Sequence, residues 1–375
     1  MARQVIVSNG SLHVGINNFG MVHDFYYPHV GLENHSAGDN TRHKIGVWVD
    51  GKCSWLDDGN WEFRFRTSSE ALIGFTLAKN VSMGIILEFD DFIDVNQDVF
   101  CRNVHVVNMK NETRDVRLFM HQSFVIGDSR SNTDTAQYLP DNDGILHYRG
   151  RRAFVIGGEY ESGEPFDQHS IGLFGIEGRE GTWRDAEDGE LANGSVEHGR
   201  VDSTIRFKLS LIGHGSSRVH YWIAAGTTLR SALTVHNWMR EQEDSFVRAE
   251  RATAAWWRRW LEPVTKTSKR LPAADRELFI KSAMVIKAHI DNNGAIIASS
   301  DTAMLNYSRD AYGYCWPRDG AYAIWPLIRL GYTHEPQNFF LFMLSGLHPK
   351  GYLMHKYRAD GALGSSWHPY MHENG

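Results

Sequence analysis

Up to about Thr227 the apolar residues recur with a period of two or in short runs, and beyond it they recur with a helical period. Trp61, Phe63 and Phe65 alternate with Glu62, Arg64 and Arg66, the mark of a half-buried strand. Short runs rich in Val, Ile and Phe lie at 4–8, 12–16, 45–49, 84–89, 103–108, 116–121, 153–157, 171–176, 204–209 and 219–224. Turn pairs separate many of them, including Asn9-Gly10, Asp50-Gly51, Asp58-Gly59, Asp143-Gly144 and Asn193-Gly194. Many short strands with no helix between them imply a sandwich or a barrel. The length of this region favours a large antiparallel β-sandwich over residues 1–227.

From Leu229 to Trp260 there is no proline, and Glu241, Glu243, Arg248, Glu250 and Arg251 supply a solvated face. This predicts one long helix or two abutting ones. Trp256, Trp257 and Trp260 have the spacing of a helix stripe docked on a neighbouring domain, a reading preferred here to a sugar platform. Glu262 to Pro272 holds two prolines, Thr265, Thr267, Ser268 and three basic residues, and reads as an exposed segment between domains. Residues 228–274 are thus expected to be a helical linker and 275–375 a second, helical domain. Within that domain the first helix presents Leu278, Ser282, Val285, Ile286 and His289 on one face, with His289 expected as a satisfied core histidine. Pro317 opens the next helix, Ala321, Ile324, Trp325 and Ile328 form its apolar face, and Gly331 ends it. Pro326, inside that helix, crowds the carbonyl of Tyr322 and predicts a kink.

The candidate chemistry sits at the start of that helix. Tyr312-Gly-Tyr-Cys-Trp-Pro-Arg-Asp-Gly-Ala-Tyr322 places aromatic rings beside a guanidinium fork and a carboxylate. A pyranose has apolar C–H faces and a rim of hydroxyls, and it wants that mixture. The same residues also fit a core tryptophan beside an Arg–Asp ion pair. Four residues, Tyr332–Glu335, lead to another amphipathic run from Pro336 to Leu347, with Phe340, Met343, Leu344 and Leu347 on one face. So short a connection makes antiparallel neighbours. A helical hairpin returns the chain to the end it left, so the aromatic-rich loop 348–371 is expected beside Tyr312–Asp319.

The pairing of Tyr312-x-Tyr-x-Trp-Pro-Arg-Asp-Gly-Ala with Gly364-Ser-Ser-Trp367-His-Pro resembles family 15 of the glycoside hydrolases, the family of glucoamylases, glucodextranases and one group of trehalases. In motif the resemblance covers residues 275–375. It implies an N-terminal β-sandwich followed by the first helices of an (α/α)6 barrel. It further implies that Tyr312, Trp316, Arg318, Asp319 and Trp367 line the subsite for the non-reducing glucose. Arg318 and Asp319 would bond its outer hydroxyls, and Trp316 and Trp367 would shape and dry the walls.

Composition narrows the class further. A chain of 375 residues, 42% hydrophobic, can bury two sizeable cores. A formal charge of −6 without any basic run argues against nucleic-acid and membrane-surface partners. Cys53, Cys101 and Cys315 are odd in number and far apart, so neither a disulfide framework nor a metal site is expected, and no cofactor is implied. The N-terminus lacks a long apolar core and no run of about 18 apolar residues occurs, which points to the cytoplasm. The sequence specifies no oligomeric state.

Inverting glycoside hydrolysis needs two carboxyl groups about 6.5–9.5 Å apart, one protonated and one activating water. In the resembled family both are glutamates that follow the Gly-Ser-Ser-Trp motif. No position here matches either, and Glu373 falls in a variable turn and receives no catalytic role. Three helices after the linker fall far short of a full (α/α)6 ring, so the chain is expected to be the front part of a longer protein. The implied activity is exo-acting release of glucose from α-glucans or oligosaccharides. A trehalase, a non-catalytic relative of the phosphorylase kinase regulatory subunits, and a phosphorylase of sandwich-plus-barrel type remain as alternatives.

Overall fold

A computed structural model describes residues 3–36, 43–126, 133–241, 244–300 and 312–364. The chain opens with β1 (Val5–Ser8), β2 (His13–Ile16), β3 (Val22–His29), β4 (Leu32–Asn34), β5 (Ile45–Val49) and β6 (Lys52–Trp55). Next come β7 (Glu62–Thr67), β8 (Gly74–Asn80), β9 (Ile85–Ile93), β10 (Val99–Asn108), β11 (Arg114–Ser123) and β12 (Asp134–Leu139). The last strands are β13 (Gly144–Arg149), β14 (Arg152–Tyr160), β15 (Gln168–Leu173), β16 (Val196–Gly199), β17 (Val201–Leu211) and β18 (Ser216–Gly226). Helices follow: α1 (Leu229–Glu241), α2 (Ser245–Trp260), α3 (Glu262–Ser268), α4 (Ala273–Ala288), α5 (Pro317–Arg329) and α6 (His334–Ser345).

The strands form three sheets, ordered β1-β2-β3-β4, β16-β12-β13-β14-β18-β10-β9-β8-β7 and β15-β17-β11-β5-β6. Every neighbouring pair with a defined register is antiparallel, as the alternation and the turn pairs require. All ten apolar runs of the sequence overlap strands. Asp50 and Gly51 both take positive φ, 53° and 75°, at the β5–β6 turn. The inner faces share one core that runs from Val5, Val14 and Phe25 through Val47, Leu118 and Phe207 to Phe89, Val104 and Ile223.

Central strands of the nine-stranded sheet are covered on both faces. In β18 Val219, Tyr221 and Ile223 enter the core between the sheets, while Trp222 and Ala224 face the helices. A second core on that outer side joins Trp222, Val155 and Cys101 to Met239, Phe246, Trp257, Val264 and Met284. Trp222 Nε1 donates to His236 Nδ1 at 3.1 Å, and His236 Nε2 meets the Asn142 carbonyl at 2.9 Å. Trp257 is 2% exposed, so the tryptophan stripe is a docking face.

The segment after Trp260 departs from the expected exposed linker. Residues 262–268 are helical with Pro263 in the first turn, and Val264 is fully buried in the second core. Proline suits a helix start, so composition alone mistook an N-terminal signal for a breaker. The helices depart from expectation in a second way, in which face they bury. On α4 the structure buries Ala283, Met284 and Ala288, leaving Leu278 and Val285 exposed. On α5 it buries Gly320, Ile324 and Leu327 and exposes Trp325 and Ile328. On α6 Phe339, Phe342 and Met343 are buried, and Phe340 and Leu344 are exposed. Each helix is apolar on two sides, and the small residues mark the side that packs closely. A methyl at Gly320 would sit 2.4 Å from the Phe339 ring, so glycine is what lets α5 and α6 touch. No closed barrel forms among the described residues, and none of the helices is long and apolar enough to cross a membrane.

Candidate active-site cleft

The candidate site is built on extended segments that run beside the N-terminus of α5. Ala298 and Ser299 donate their backbone N–H groups to the carbonyls of Tyr314 and Tyr312, at 3.1 and 3.0 Å. Cys315 and Tyr357 exchange backbone hydrogen bonds at 2.8 and 2.9 Å. The loop after α6 therefore lies beside Tyr312–Asp319, where a helical hairpin must return it. Tyr357 fixes that loop: its hydroxyl donates to the Gly346 carbonyl at 2.9 Å and accepts from the Met354 N–H at 2.7 Å.

Tyr312 and Asp319 line one cleft of about 580 Å³ with Ile296, Ile297, Ala298, Ser299 and Ala323. Asp319 lies in the first turn of α5, where the helix dipole favours a carboxylate. Its oxygens accept from Arg318 Nε and Nη2 at 3.2 and 3.3 Å. The side chains of that pair are 70% and 41% exposed for Arg318 and Asp319, so their mutual attraction is worth at most about 1 kcal/mol. Both groups can turn to a ligand at little cost.

Trp316 sits differently from the expected wall. It is 5% exposed, packs edge-on to Tyr314 at 5.9 Å, and is not among the residues that line the cleft. The Lys356 ammonium, itself buried, stands 4.0 Å from the Tyr314 ring centre and 5.7 Å from that of Trp316. Sequence reasoning missed Lys356, because nothing in the spacing of loop 348–371 separates it from its neighbours. It also missed the wall Ile296–Ser299, which lies outside every element that the apolar pattern predicts. Trp367 and Glu373 lie outside the described residues. Asp319 is the one carboxylate among the described residues of the lining. No cluster of three His, Cys, Asp or Glu side chains that could hold a metal occurs among the described residues. His289 is half-buried, its ring nitrogens meeting the Val285 carbonyl at 2.8 Å and Ser300 Oγ at 3.1 Å, and burial lowers its pKa.

Comparisons with known proteins agree with this arrangement. Residues 273–371 match the family model described as glycosyl hydrolases family 15. An uncharacterized glycosyl hydrolase of Methanocaldococcus jannaschii is 23% identical over 369 residues, which is 95% of this chain and 55% of that protein. Among solved structures, a bacterial glucoamylase complexed with acarbose superposes with a TM-score of 0.77 at 13% identity, over 96% of this chain and 52% of its own. A candidate kojibiose phosphorylase from the human microbiome gives 0.60 at 9% identity, over 92% and 46%. The chain thus spans about half the length of the relatives it matches. At these identities the two superpositions establish the fold, and the family model speaks for residues 273–371. With its sandwich fold, its Trp-Pro-Arg-Asp helix start and the family match over residues 273–371, the chain is similar to the family 15 glycosyl hydrolases in that segment and to a bacterial glucoamylase in fold.

Proposed function

We propose that this chain forms the sugar-binding part of an inverting, exo-acting α-glucosidase of glucoamylase type. The cleft would receive the non-reducing glucose of an α-glucan or oligosaccharide. The observation that carries the reading is that Tyr312 and Asp319 share one cleft within the segment matched by the family model. Asp319 supplies two acceptors and Arg318 a planar set of donors for vicinal hydroxyls. Tyr312 offers a ring at the cleft edge, and Trp316 with Tyr314 excludes water from behind. Trp367 belongs to the same proposal as a second wall, as does the division into a sandwich at 1–227, a helical linker at 228–274 and a catalytic domain from 275. A cytoplasmic setting is part of the reading and is supported by three free thiols.

Binding is not yet hydrolysis. A second carboxyl group at about 6.5–9.5 Å is required for inversion, and Asp319, the one carboxylate among the described residues of the lining, cannot be both acid and base. By the resemblance to family 15, the acid and the base are assigned to glutamates of the kind that follow the Gly-Ser-Ser-Trp motif in that family. That single carboxylate also keeps a second reading alive, a carbohydrate-binding relative that does no chemistry. A trehalase would share the glucose subsite and differ in what lies beyond it.

Calorimetric titration of the chain with acarbose, with maltose and trehalose in parallel, tests the proposal. Saturable binding that Tyr312→Ala weakens at least about fivefold is expected. A chain that binds none of the three would refute it.

A further inference from the structure

The sugar cleft is braced from behind by the N-terminal sheets, through the tip of the β3–β4 hairpin. Asp291, 3% exposed, is the joint. Its carboxylate accepts from the Val30 N–H at 2.8 Å and meets His29 Nδ1 at 3.2 and 3.3 Å. On its own side it accepts from the Asn293 N–H at 3.0 Å and shapes the turn that sends the chain into the cleft wall. That turn closes with Asp291 N–H to the Ala295 carbonyl and Gly294 N–H to the Asp291 carbonyl, at 2.8 and 2.9 Å. Asn293 reaches across to the Ala359 carbonyl in the loop after α6. One carboxylate thus ties the hairpin tip, the turn before the wall and, through Asn293, the third segment of the site.

At the tip itself the fit leaves no slack. Gly31 has φ +79°, and a methyl there would lie 2.5 Å from Ile297 Cδ1 and 3.3 Å from the Cα of Gly313. Ile297 lines the cleft and Gly313 follows Tyr312, which lines it too. Val30 is fully buried with Ile297, Cys315 and Tyr357. A shift of the tip must therefore move both walls that hold a ligand.

We infer that His29 and Asp291 are positioning residues for the sugar cleft, clamping the β3–β4 tip so that the sheets set the spacing between Ile297 and Tyr312. The inference rests on the binding reading above. The clamp titrates through His29, whose pKa is raised, first by its hydrogen bond to Asp291 and then by charge from Asp291, Asp360 and Glu33, against the lowering effect of burial. Of these, Glu33 is paired with Arg152 at 2.6 Å and Asp360 with Arg358 at 2.9 Å, so Asp291 is the carboxylate committed to His29. A raised histidine pKa means the charged clamp is complete below pH 6.5 and is lost as pH rises through the higher folded value.

The test is acarbose affinity of the 375-residue chain between pH 5.5 and 8.5, for the wild type, Asp291→Asn and His29→Gln. Misplacing a site wall by about 1 Å can cost on the order of a hundredfold in rate, and the expected loss in affinity here is about tenfold. Wild-type affinity should fall as pH rises, while His29→Gln should show at pH 6 the wild type's high-pH affinity and no pH dependence. Hydrogen exchange at the Ala298 and Ser299 amides should quicken in Asp291→Asn, with or without ligand. His29→Gln, which leaves the Val30 bond intact, serves if Asp291→Asn does not fold. A pH profile that both variants share with the wild type overturns the clamp and leaves the binding reading standing. A wild type that binds nothing overturns the binding reading, and unchanged exchange at Ala298 and Ser299 would then remove the clamp as well.

Discussion

Asp319→Ala separates a ligand-binding carboxylate from a merely structural one. Its stabilising contacts are an exposed ion pair with Arg318 and a place in the first turn of α5. Such a pair is worth about 0–1 kcal/mol, and a first-turn charge about 0.3–1 kcal/mol. The variant should therefore lose less than about 2 kcal/mol of stability, a few degrees in Tm. A hydrogen bond from a sugar hydroxyl to a charged acceptor is worth about 1.5–3 kcal/mol. Its loss should weaken acarbose or maltose binding about tenfold to a hundredfold. In a catalytically complete protein that carries these residues, kcat/KM should fall at least about tenfold. Calorimetric titration beside a thermal melt reads both quantities from one preparation. Unchanged affinity together with a sharp drop in Tm would show that Asp319 serves the helix and not a ligand.

Three further outcomes are expected. Glu335 is 4% exposed and holds Lys287 Nζ at 3.0 Å and Trp260 Nε1 at 2.7 Å, joining α2, α4 and α6. Glu335→Ala strands that lysine and should cost about 3–5 kcal/mol in urea denaturation, and a loss under about 1 kcal/mol would contradict the clamp. Burial holds His147 down to about 3 and His236 to about 4. The unfolded chain then binds protons first as pH drops below 6.5. Stability should fall between pH 6.5 and about 4 by up to about 1.4 kcal/mol per pH unit for each histidine, with His147→Gln flattening the slope. Trp325, Leu341 and Leu344 are exposed by 61%, 63% and 62%, and exposed apolar side chains of this size favour association. The chain should self-associate in sedimentation experiments, and Trp325→Glu with Leu344→Glu should reduce it.

The strands were legible because one face of each is buried and the period of two survives in the sequence, as in Glu62–Thr67. β3 was not, although its tip braces the cleft. None of the apolar runs covers it, and its Asp24 is buried against Arg3 and Asn34, partners that only the fold brings near. On the helices the period was right and the face wrong, since α4, α5 and α6 are apolar on two sides and a single sequence cannot tell which side packs inward. At the site, the aromatic, guanidinium and carboxylate groups around Asp319 were legible as chemistry. That Trp316 is buried outside the cleft lining, with Lys356 beside it, depends on how the loop after α6 folds back, and no local pattern encodes that.

The account holds that these residues bind a glucoside and that the groups which break its bond lie elsewhere. General acid and base groups typically supply about 10²–10⁴-fold each, and orientation alone protonates no leaving oxygen. The direct measurement is glucose release from maltose, maltotriose and trehalose by the purified 375-residue chain, made on preparations shown to bind acarbose. Binding without sustained release is predicted. Sustained release, abolished by replacing a carboxylate within residues 1–375, would show that the chemistry resides in this chain and contradict the account.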